Sequence, residues 1–302
     1  RAENGTAVPA AAPSAASAAA WDGSAMSQND MMLKDTVLVL DDSDNVVGSA
    51  SKKDSHVFDV QTPRGTLHRA FSVLLFDEST GELLLQKRAS TKITFPNVWT
   101  NTCCSHPLHG MNPPELDTPL DAADGTVPCV KNAAVRKLEH ELGVKKEEVP
   151  LDKFKSLTRL HYWVADCVTH GKDSPWGEHE IDYVLFYTVP TKSSLTVVPH
   201  PDEVDDVTWV TKSKLLEMME DESLLFSPWF RIIAQRWMIP EGGWWDDLRE
   251  TMETERHCDY GKISRFDPPE EHMGGGGKAG PLFGDAIQKE EEGKGEEEEV
   301  GR

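Results

Sequence analysis

The 302-residue sequence is poor in positive charge and in cysteine, and it contains no long apolar run. Its 31 Lys and Arg stand against 52 Asp and Glu, which gives a formal net charge of -21. This balance argues against nucleic-acid binding, which requires clustered cations. Five cysteines, two of them adjacent at Cys103 and Cys104, favour a reducing compartment over a disulfide framework. No stretch approaches the roughly 18 apolar residues of a membrane helix, so we expect no membrane span.

The two ends of the chain differ in composition from its middle. Residues 1–33 are rich in Ala and Ser without apolar periodicity, which predicts a disordered segment. Both a remnant of an organelle transit peptide and a plain flexible tail fit this composition. Residues 267–302 contain a run of glycines and an acidic run, which predict a second disordered tail. Residues 34–266 have a globular pattern, and we expect them to form a single domain.

Strand and helix signals are mixed through the central region. Residues 69–76 read as an apolar strand, and the turn after it predicts a hairpin with residues 82–87. Over residues 130–142 apolar side chains recur every fourth residue, which predicts a helix capped by Gly143. This mixture predicts an α+β fold, arranged as an α/β/α sandwich. Further strands are predicted at 36–40, 181–189 and 207–210, and further helices at 212–219 and 228–238.

The polar loop 99–107 holds a thiol and an imidazole two residues apart, Cys104 and His106. Such a pair can serve acid/base or nucleophilic chemistry, can bind a metal, or can be an ordinary buried Cys beside a loop His. On an extended segment Cys103 and Cys104 face opposite ways, and Cys104 shares its face with His106. If the loop is chemical, Cys104 is therefore the reactive thiol.

Two glutamates precede the strand predicted at 181–189 and share one face. Side chains alternate along a strand, so Glu178 and Glu180 project together while His179 projects the other way. Such a pair is either a solvent-facing acidic patch or is neutralised by a cation. Three histidines at the edges of predicted elements would complete a transition-metal set with the two carboxylates: His56, His68 and His106.

The predicted helix carries a segment, residues 136–144, that resembles the Nudix box, Arg-Glu-aliphatic-x-Glu-Glu-x-Gly-aliphatic. In that box, helix carboxylates hold a divalent cation against a diphosphate. Here Lys137 and His140 replace two of the acids, and Glu141 keeps a matching position. A hydrolase needs several carboxylates to assemble its metals and activate water, so the departure argues against hydrolysis. The alternative is an amphipathic helix with ordinary surface charge.

A basic strip in this acidic chain suggests an anion site. Arg88 and Lys92 lie shortly before the Cys104 loop, and Lys52 is a third candidate cation. Arg provides bidentate contacts and Lys a point charge to a phosphate group. Ordinary solvated cations are the competing interpretation, for Lys52 above all.

Six motifs together resemble the type I isopentenyl-diphosphate isomerases, especially their eukaryotic members. The resemblance extends from about residue 34 to about residue 240, and it implies a Nudix fold with a mixed central sheet flanked by helices. Six motifs in the same order are far more specific than one degenerate box. They are residues 68–72 (HRAFS), 87–90 (KRAS), 99–107 (WTNTCCSHP), 140–143 (HELG), 176–183 (WGEHEIDY) and 226–230 (FSPWF).

The resemblance implies a role for each candidate residue. Cys104 would be the catalytic thiol and Glu180 the opposing acid/base, with Tyr162 hydrogen-bonded beside Glu180. The implied substrate-binding residues are Lys52, Arg88, Lys92, Ser105 and Trp229, the last lying over the hydrocarbon. The implied ligands of a Zn²⁺ or Mn²⁺ ion are His56, His68, His106, Glu178 and Glu180, and Glu141 would hold a Mg²⁺ ion.

The activity that the resemblance implies is the interconversion of isopentenyl diphosphate and dimethylallyl diphosphate in isoprenoid biosynthesis. One proton is added at one carbon, and a different proton is removed from another. The main rival is a Nudix hydrolase of nucleoside or prenyl diphosphates, and a non-catalytic metal-binding scaffold is the second. We expect a small-molecule prenyl diphosphate substrate, no nucleic-acid partner, a monomer, and a location in the plastid or the cytoplasm.

Overall fold

The computed structural model describes residues 21–267, apart from residues 60, 62, 63, 172 and 173. The described residues form one ten-stranded sheet that contains both parallel and antiparallel pairs. The tails were predicted for residues 1–33 and 267–302, and of these, residues 1–20 and 268–302 lie outside the described residues. The strands are β1 (Thr36–Leu40), β2 (Val46–Ser51), β3 (His68–Asp77), β4 (Leu83–Arg88), β5 (Trp99–Thr100), β6 (Cys103–Ser105), β7 (Lys155–Ala165), β8 (Gly177–Val189), β9 (Val204–Val210) and β10 (Ile263–Phe266).

Eight α-helices accompany this sheet in the described part of the chain, and none of them is long and apolar enough to cross a membrane. The seventh continues into a π-helical turn at Ala234–Met238. The helices are α1 (Gln28–Lys34), α2 (Lys52–His56), α3 (Pro119–Asp124), α4 (Pro128–Leu142), α5 (Cys167–His170), α6 (Lys212–Glu220), α7 (Pro228–Ile233) and α8 (Leu248–Glu253).

The register of three neighbouring strands brings distant residues together at one end of the sheet. β3 and β8 run parallel, with His68 opposite Glu180. β7 pairs with the other edge of β8 in antiparallel fashion, with Tyr162 opposite Glu180. Since directly opposite residues lie about 4.5–5.5 Å apart, a histidine, a glutamate and a tyrosine become neighbours on one face.

Alternation along β3 divides the core between the two faces of the sheet. Leu74 and Phe76 belong to an apolar cluster that includes Phe230 of α7. Val73 and Leu75 belong to a second cluster, which includes residues of α4. Helices therefore pack on both faces, as expected for a sheet with two buried faces, and the predicted α/β/α sandwich with a mixed sheet is confirmed.

Most predicted elements are present, with local differences. The strand predicted at 82–87 is β4. Its predicted hairpin with β3 is limited to the pair Phe76 and Leu83, and β4 pairs along its length with β9. The strand predicted from residue 181 begins at Gly177, so Glu178 and Glu180 lie inside β8 instead of before it. Five strands were not predicted from the sequence: β2, β7 and β10, and also β5 and β6, which lie in the segment expected to be a polar loop.

The prediction of disorder through residue 33 is wrong for its last part. Residues 28–34 form α1, which begins with a capping box between Ser27 and Asp30. Met31 and Met32 are buried against the rest of the protein. A seven-residue helix with two adjacent apolar anchors shows no apolar period, so it could not be recognised from periodicity.

Candidate active site

The structure brings the predicted site residues together at the end of β3, β7 and β8. Of the thirteen candidates, all but His68 line a single pocket, and His68 belongs to the metal-ligand cluster beside it. The lining candidates are Lys52, His56, Arg88, Lys92, Cys104, Ser105, His106, Glu141, Tyr162, Glu178, Glu180 and Trp229.

Three buried imidazoles face two buried carboxylates, a set that we call the histidine–carboxylate cage (His56, His68, His106, Glu178 and Glu180). One ligand atom from each residue lies within 4.8 Å of all the others. The three imidazole ring centroids are 4.8–4.9 Å apart. Nε2 of His56 is 2.8 Å from Glu178 Oε2, and Nε2 of His106 is 2.8 Å from Glu180 Oε1.

Backbone contacts fix which nitrogen of two histidines faces the cage. Nδ1 of His56 lies 2.6 Å from the Lys52 carbonyl, and Nδ1 of His68 lies 2.7 Å from the Thr66 carbonyl. Because a carbonyl only accepts, each Nδ1 donates its proton there, and Nε2 is the ring nitrogen that faces the cage carboxylates. Both Nε2 atoms are buried and make no hydrogen bond of acceptable geometry, although carboxylate oxygens lie 2.8 Å from His56 Nε2 and 3.6 Å from His68 Nε2. Orphaned imidazole nitrogens beside carboxylate oxygens fit a divalent cation, with the backbone carbonyls as outer support.

The two glutamates of the cage are each held by a hydroxyl group. Thr94 donates to Glu178 Oε1 at 3.0 Å, and Tyr162 donates to Glu180 Oε2 at 2.5 Å. Burial alone raises the pKa of Glu180, but the contacts with His68 and Tyr162 bring it below its ordinary value. His179, on the opposite face of β8 as predicted, lies 3.1 Å from His161 through their Nε2 atoms.

The two adjacent cysteines face different surroundings because they alternate along β6. β6 runs antiparallel to β3, with Cys104 opposite Ser72. Cys104 lines the pocket, while Cys103 is fully buried with its thiol 3.5 Å from Glu141 Oε2. Burial raises the pKa of the Cys104 thiol to about 12, and the Arg88 guanidinium offsets only part of this rise. The thiol that faces the pocket is therefore protonated at neutral pH.

The three predicted phosphate-binding cations differ in how far they are already engaged. Arg88 donates from Nε to the Phe95 carbonyl and from Nη2 to the Thr94 carbonyl, both at 2.9 Å, and its Nη1 lies 3.8 Å from Cys104 Sγ. Lys92 forms an ion pair with Glu203. Burial lowers the pKa of Lys52 to about 8. Lys52, Arg88 and Lys92 thus place positive charge along the pocket, and we call them its cationic side. Arg88 and Lys92 already interact with other groups of the protein.

In the Nudix-like segment of α4, the ammonium of Lys137 lies between the carboxylates of Glu141 and Glu203. Lys92 pairs with Glu203, and we call these four residues the box cluster. Nζ of Lys137 lies 3.1 Å from Glu141 Oε1 and 3.6 Å from Glu203 Oε2. It also donates to Nδ1 of His140 at 3.0 Å. Burial would lower the pKa of Lys137, but Glu203 and Glu141 raise it above its ordinary value. Both residues that depart from the usual box therefore serve one buried ion-pair network.

Several residues of this site were missed by sequence reasoning. Gln28 and Met32 of α1 line the pocket, although they fall in the segment expected to be disordered. Glu203 gave no signal, since it is one acidic residue among 52. Asn101 lies in the 99–107 motif, but no role was predicted for it. In the structure its Oδ1 accepts a 3.2 Å hydrogen bond from the Trp229 indole.

Comparison with known proteins defines the class of this chain. The family described as NUDIX domain matches residues 66–230, more than half of the sequence, so the chain is a Nudix-domain protein. A crystal structure from Deinococcus radiodurans covers 67% of this chain and 99% of its own, with a TM-score of 0.43 and 15% identity.

Curated relatives narrow the class to one family. The isopentenyl-diphosphate delta-isomerase of Phaffia rhodozyma is 45% identical over 218 residues, 72% of this chain and 78% of that protein. The isopentenyl-diphosphate delta-isomerase of Schizosaccharomyces pombe is 42% identical over 217 residues, 72% of this chain and 86% of its own. "Isopentenyl-diphosphate Delta-isomerase II, chloroplastic" of Arabidopsis thaliana is 42% identical over 228 residues, 74% and 72% of the two chains. The chain belongs to the isopentenyl-diphosphate delta-isomerase family, which confirms the predicted family and Nudix fold.

Proposed function

We propose that the protein interconverts isopentenyl diphosphate and dimethylallyl diphosphate, with Cys104 and Glu180 as its two proton-transfer groups. The observation that carries the proposal is that the Cys104 thiol and the Glu180 carboxylate line the same pocket. A 1,3-shift of a double bond needs one group that delivers a proton and another that removes one. The family membership supports the same assignment.

The double bond of the substrate is unactivated, so its isomerisation needs two proton-transfer groups placed against the reacting carbons. A proton added to the terminal carbon leaves positive charge at the tertiary carbon, and loss of a proton from the adjacent methylene forms the new double bond. We assign the delivery to the Cys104 thiol and the removal to Glu180, and the two groups exchange roles in the reverse direction. Tyr162, hydrogen-bonded to Glu180, would orient that carboxylate.

Trp229 is proposed to lie over the developing positive charge. It lines the pocket with Cys104 and Glu180, and its ring stands edge-on to Phe95 at 5.4 Å between centroids. An aromatic face attracts a cation by about 0.5–2 kcal/mol, depending on exclusion of water. The buried aromatic wall would also keep water from quenching the cation.

The diphosphate end of the substrate is proposed to lie against the cationic side of the pocket. Lys52, Arg88, Lys92 and Ser105 would contact its oxygens, and this binding energy would hold the hydrocarbon in place. The cage residues fit Zn²⁺ or Mn²⁺ by their nitrogen and oxygen donors, and Glu141 fits Mg²⁺ as a carboxylate ligand. When bound, the first ion would tune the basicity of Glu180, and the second would neutralise diphosphate charge.

The test is an incubation of the protein with labelled isopentenyl diphosphate and Mg²⁺, with separate detection of the allylic isomer and of released phosphate or diphosphate. We expect dimethylallyl diphosphate without phosphate release. Release of phosphate without isomer would favour the Nudix hydrolase, and tight metal binding without either product would favour a scaffold.

Two properties outside the site stay predictions. We propose a monomer, which light scattering of the metal-loaded protein would test. We also propose a plastid or cytoplasmic location; the Arabidopsis relative is named chloroplastic, and the fungal relatives are not. Imaging of the fluorescently tagged protein in its own cells would separate the two.

A further inference from the structure

We infer that Asn101 is a positioning residue of the proposed reaction, because its single carboxamide holds both the Trp229 indole and the strand that carries Cys104. The inference rests on the proposed function. Asn101 does not itself line the pocket or belong to the metal cage, and we assign to it the distance between the Cys104 thiol and the Trp229 indole, which do line the pocket.

The carboxamide of Asn101 is fully buried and uses its full hydrogen-bonding capacity. Nδ2 donates to the carbonyl of Cys103 at 2.8 Å and to the carbonyl of Val73 at 3.1 Å. Oδ1 accepts from Trp229 Nε1 at 3.2 Å and from Thr100 Oγ1 at 2.8 Å. An indole N–H only donates and a carbonyl only accepts, so these partners fix which end of the carboxamide is oxygen.

The two donor bonds fix the short strand β6 against the centre of the sheet. Val73 belongs to β3 and is the register partner of Cys103. By bridging the carbonyls of Val73 and Cys103, the amide ties the residue next to Cys104 to the most buried strand. The backbone of β6 beside Cys104 can then shift relative to β3 only if a buried hydrogen bond is left unmade, which is costly inside a protein.

The acceptor bonds fix the indole at the other side of the pocket. Trp229 also has two aromatic neighbours, Phe95 and Tyr162. Contacts between rings do not distinguish the two edges of an indole. The bond to Asn101 Oδ1 does, because only one edge carries the N–H. Thr100, the second donor, is also 2.7 Å from Ser227, the residue before α7. The carboxamide therefore joins the start of α7 to β6.

This arrangement matters for the proposed chemistry because the positive charge must form between the thiol and the indole. A displacement of about 1 Å in a reacting group can lower a rate about 100-fold. Asn101 holds the backbone beside the Cys104 thiol and the N–H edge of the Trp229 indole through one carboxamide, so its loss should lower kcat while substrate binding by the cationic side persists.

The experiment compares Asn101→Ala, Asn101→Asp and Trp229→Phe by steady-state kinetics and by NMR of the indole N–H groups. Asn101→Asp retains an acceptor for Trp229 but loses both donors, and it preserves shape if the alanine variant does not fold. The signal of the Trp229 Nε1–H is assigned by its absence in Trp229→Phe. Asn132→Ala is the matched control, since Asn132 donates to the Pro114 carbonyl at the surface.

We expect kcat to fall about 100-fold in Asn101→Ala with KM changed less than about 3-fold, and the Trp229 N–H signal to shift and lose protection from solvent exchange. In Asn101→Asp the signal should stay near its wild-type position while kcat still falls. In a Trp229→Phe background, Asn101→Ala should lower kcat by a smaller factor than in wild type. Asn132→Ala should match wild type.

Two results would overturn the inference: wild-type kcat in both Asn101 variants, or an unchanged Trp229 signal in Asn101→Ala with fully additive effects of the two substitutions. A wild-type protein that does not isomerise would instead refute the proposed function. The NMR comparison would still decide whether Asn101 positions the indole.

Discussion

The histidine–carboxylate cage and the box cluster each bury two glutamates, but they neutralise them differently. In the cage, Glu178 and Glu180 face three imidazoles whose nitrogens are partly orphaned. In the box cluster, Glu141 and Glu203 face the ammonium groups of Lys137 and Lys92. Buried carboxylates are costly unless a cation accompanies them. The cage therefore fits an external divalent cation, whereas the box cluster carries much of its own positive charge.

This contrast gives a physical meaning to the departure from the usual Nudix box. Lys137 stands where the usual box has an acid, and its ammonium contacts the one box carboxylate at a matching position, Glu141. A position that supplies a proton-bearing cation cannot at the same time supply a metal ligand. The chemistry is accordingly expected on the cage side of the pocket, at Cys104 and Glu180.

The largest effect should come from removing the proposed proton-transfer groups on the cage side. We expect Cys104→Ala and Glu180→Gln each to lower turnover of isopentenyl diphosphate by roughly 100- to 10,000-fold, the range for general acid/base groups. Circular dichroism should show an intact fold in both. Cys103→Ala is the control, and it should be mild because that thiol faces Glu141 and not the pocket. An equal loss at position 103 would mean that the reactive thiol was chosen wrongly.

Metal removal should destabilise the cage specifically. A cation bound only by the folded state at 100 times its Kd contributes about 2.7 kcal/mol, so chelation should lower the melting temperature and re-addition should restore it. His56→Ala should remove most of this metal-dependent shift. His179→Ala, on the opposite face of β8, should retain it. A shift of equal size in both variants would argue against the cage as the binding site.

Neutralising the cation of the box cluster should cost stability without any metal. Lys137→Gln leaves Glu141 and Glu203 buried with one ammonium fewer, and breaking such a buried pair costs about 3–5 kcal/mol. Chemical denaturation of the variant measures this loss. Lys214→Gln, at an exposed pair on α6, should stay within about 0.5 kcal/mol of wild type. A Lys137 variant as stable as the Lys214 variant would show that the box cluster does not depend on its internal cation.

Local periodicity accounts for what the sequence predicted in these two regions. The shared face of Glu178 and Glu180 follows from alternation along a strand, and the separation of Cys103 from Cys104 follows from the same rule. The pairing of Lys137 with Glu203 could not be predicted, because it joins residues far apart in the chain through the contact of the loop before β9 with the end of α4. His56 lies on a five-residue helix, where neither alternation nor helical period indicates its partners.

The smallest of these effects should come from the end of the helix that carries the box cluster. Gly143 has a φ of 64°, and a Cβ there would lie 2.8 Å from the Val198 carbonyl oxygen. The left-handed conformation alone should make Gly143→Ala lower the free energy of unfolding by about 1–2 kcal/mol. The close contact with the Val198 carbonyl should add to this loss. Gly81→Ala has a similar φ of 69° but open space around its Cβ position. Gly81→Ala should therefore lower the free energy of unfolding by less. An equal loss at both sites would show that the contact with Val198 adds nothing to the cost at Gly143.

The central claim is most directly tested by a crystal structure of the metal-loaded protein with isopentyl diphosphate, the saturated analogue that cannot isomerise. Our account predicts the five-carbon chain between Sγ of Cys104 and the carboxylate of Glu180, with the diphosphate toward Lys52, Arg88 and Lys92. A hydrocarbon bound away from either group, or a diphosphate bound within the histidine–carboxylate cage, would contradict it.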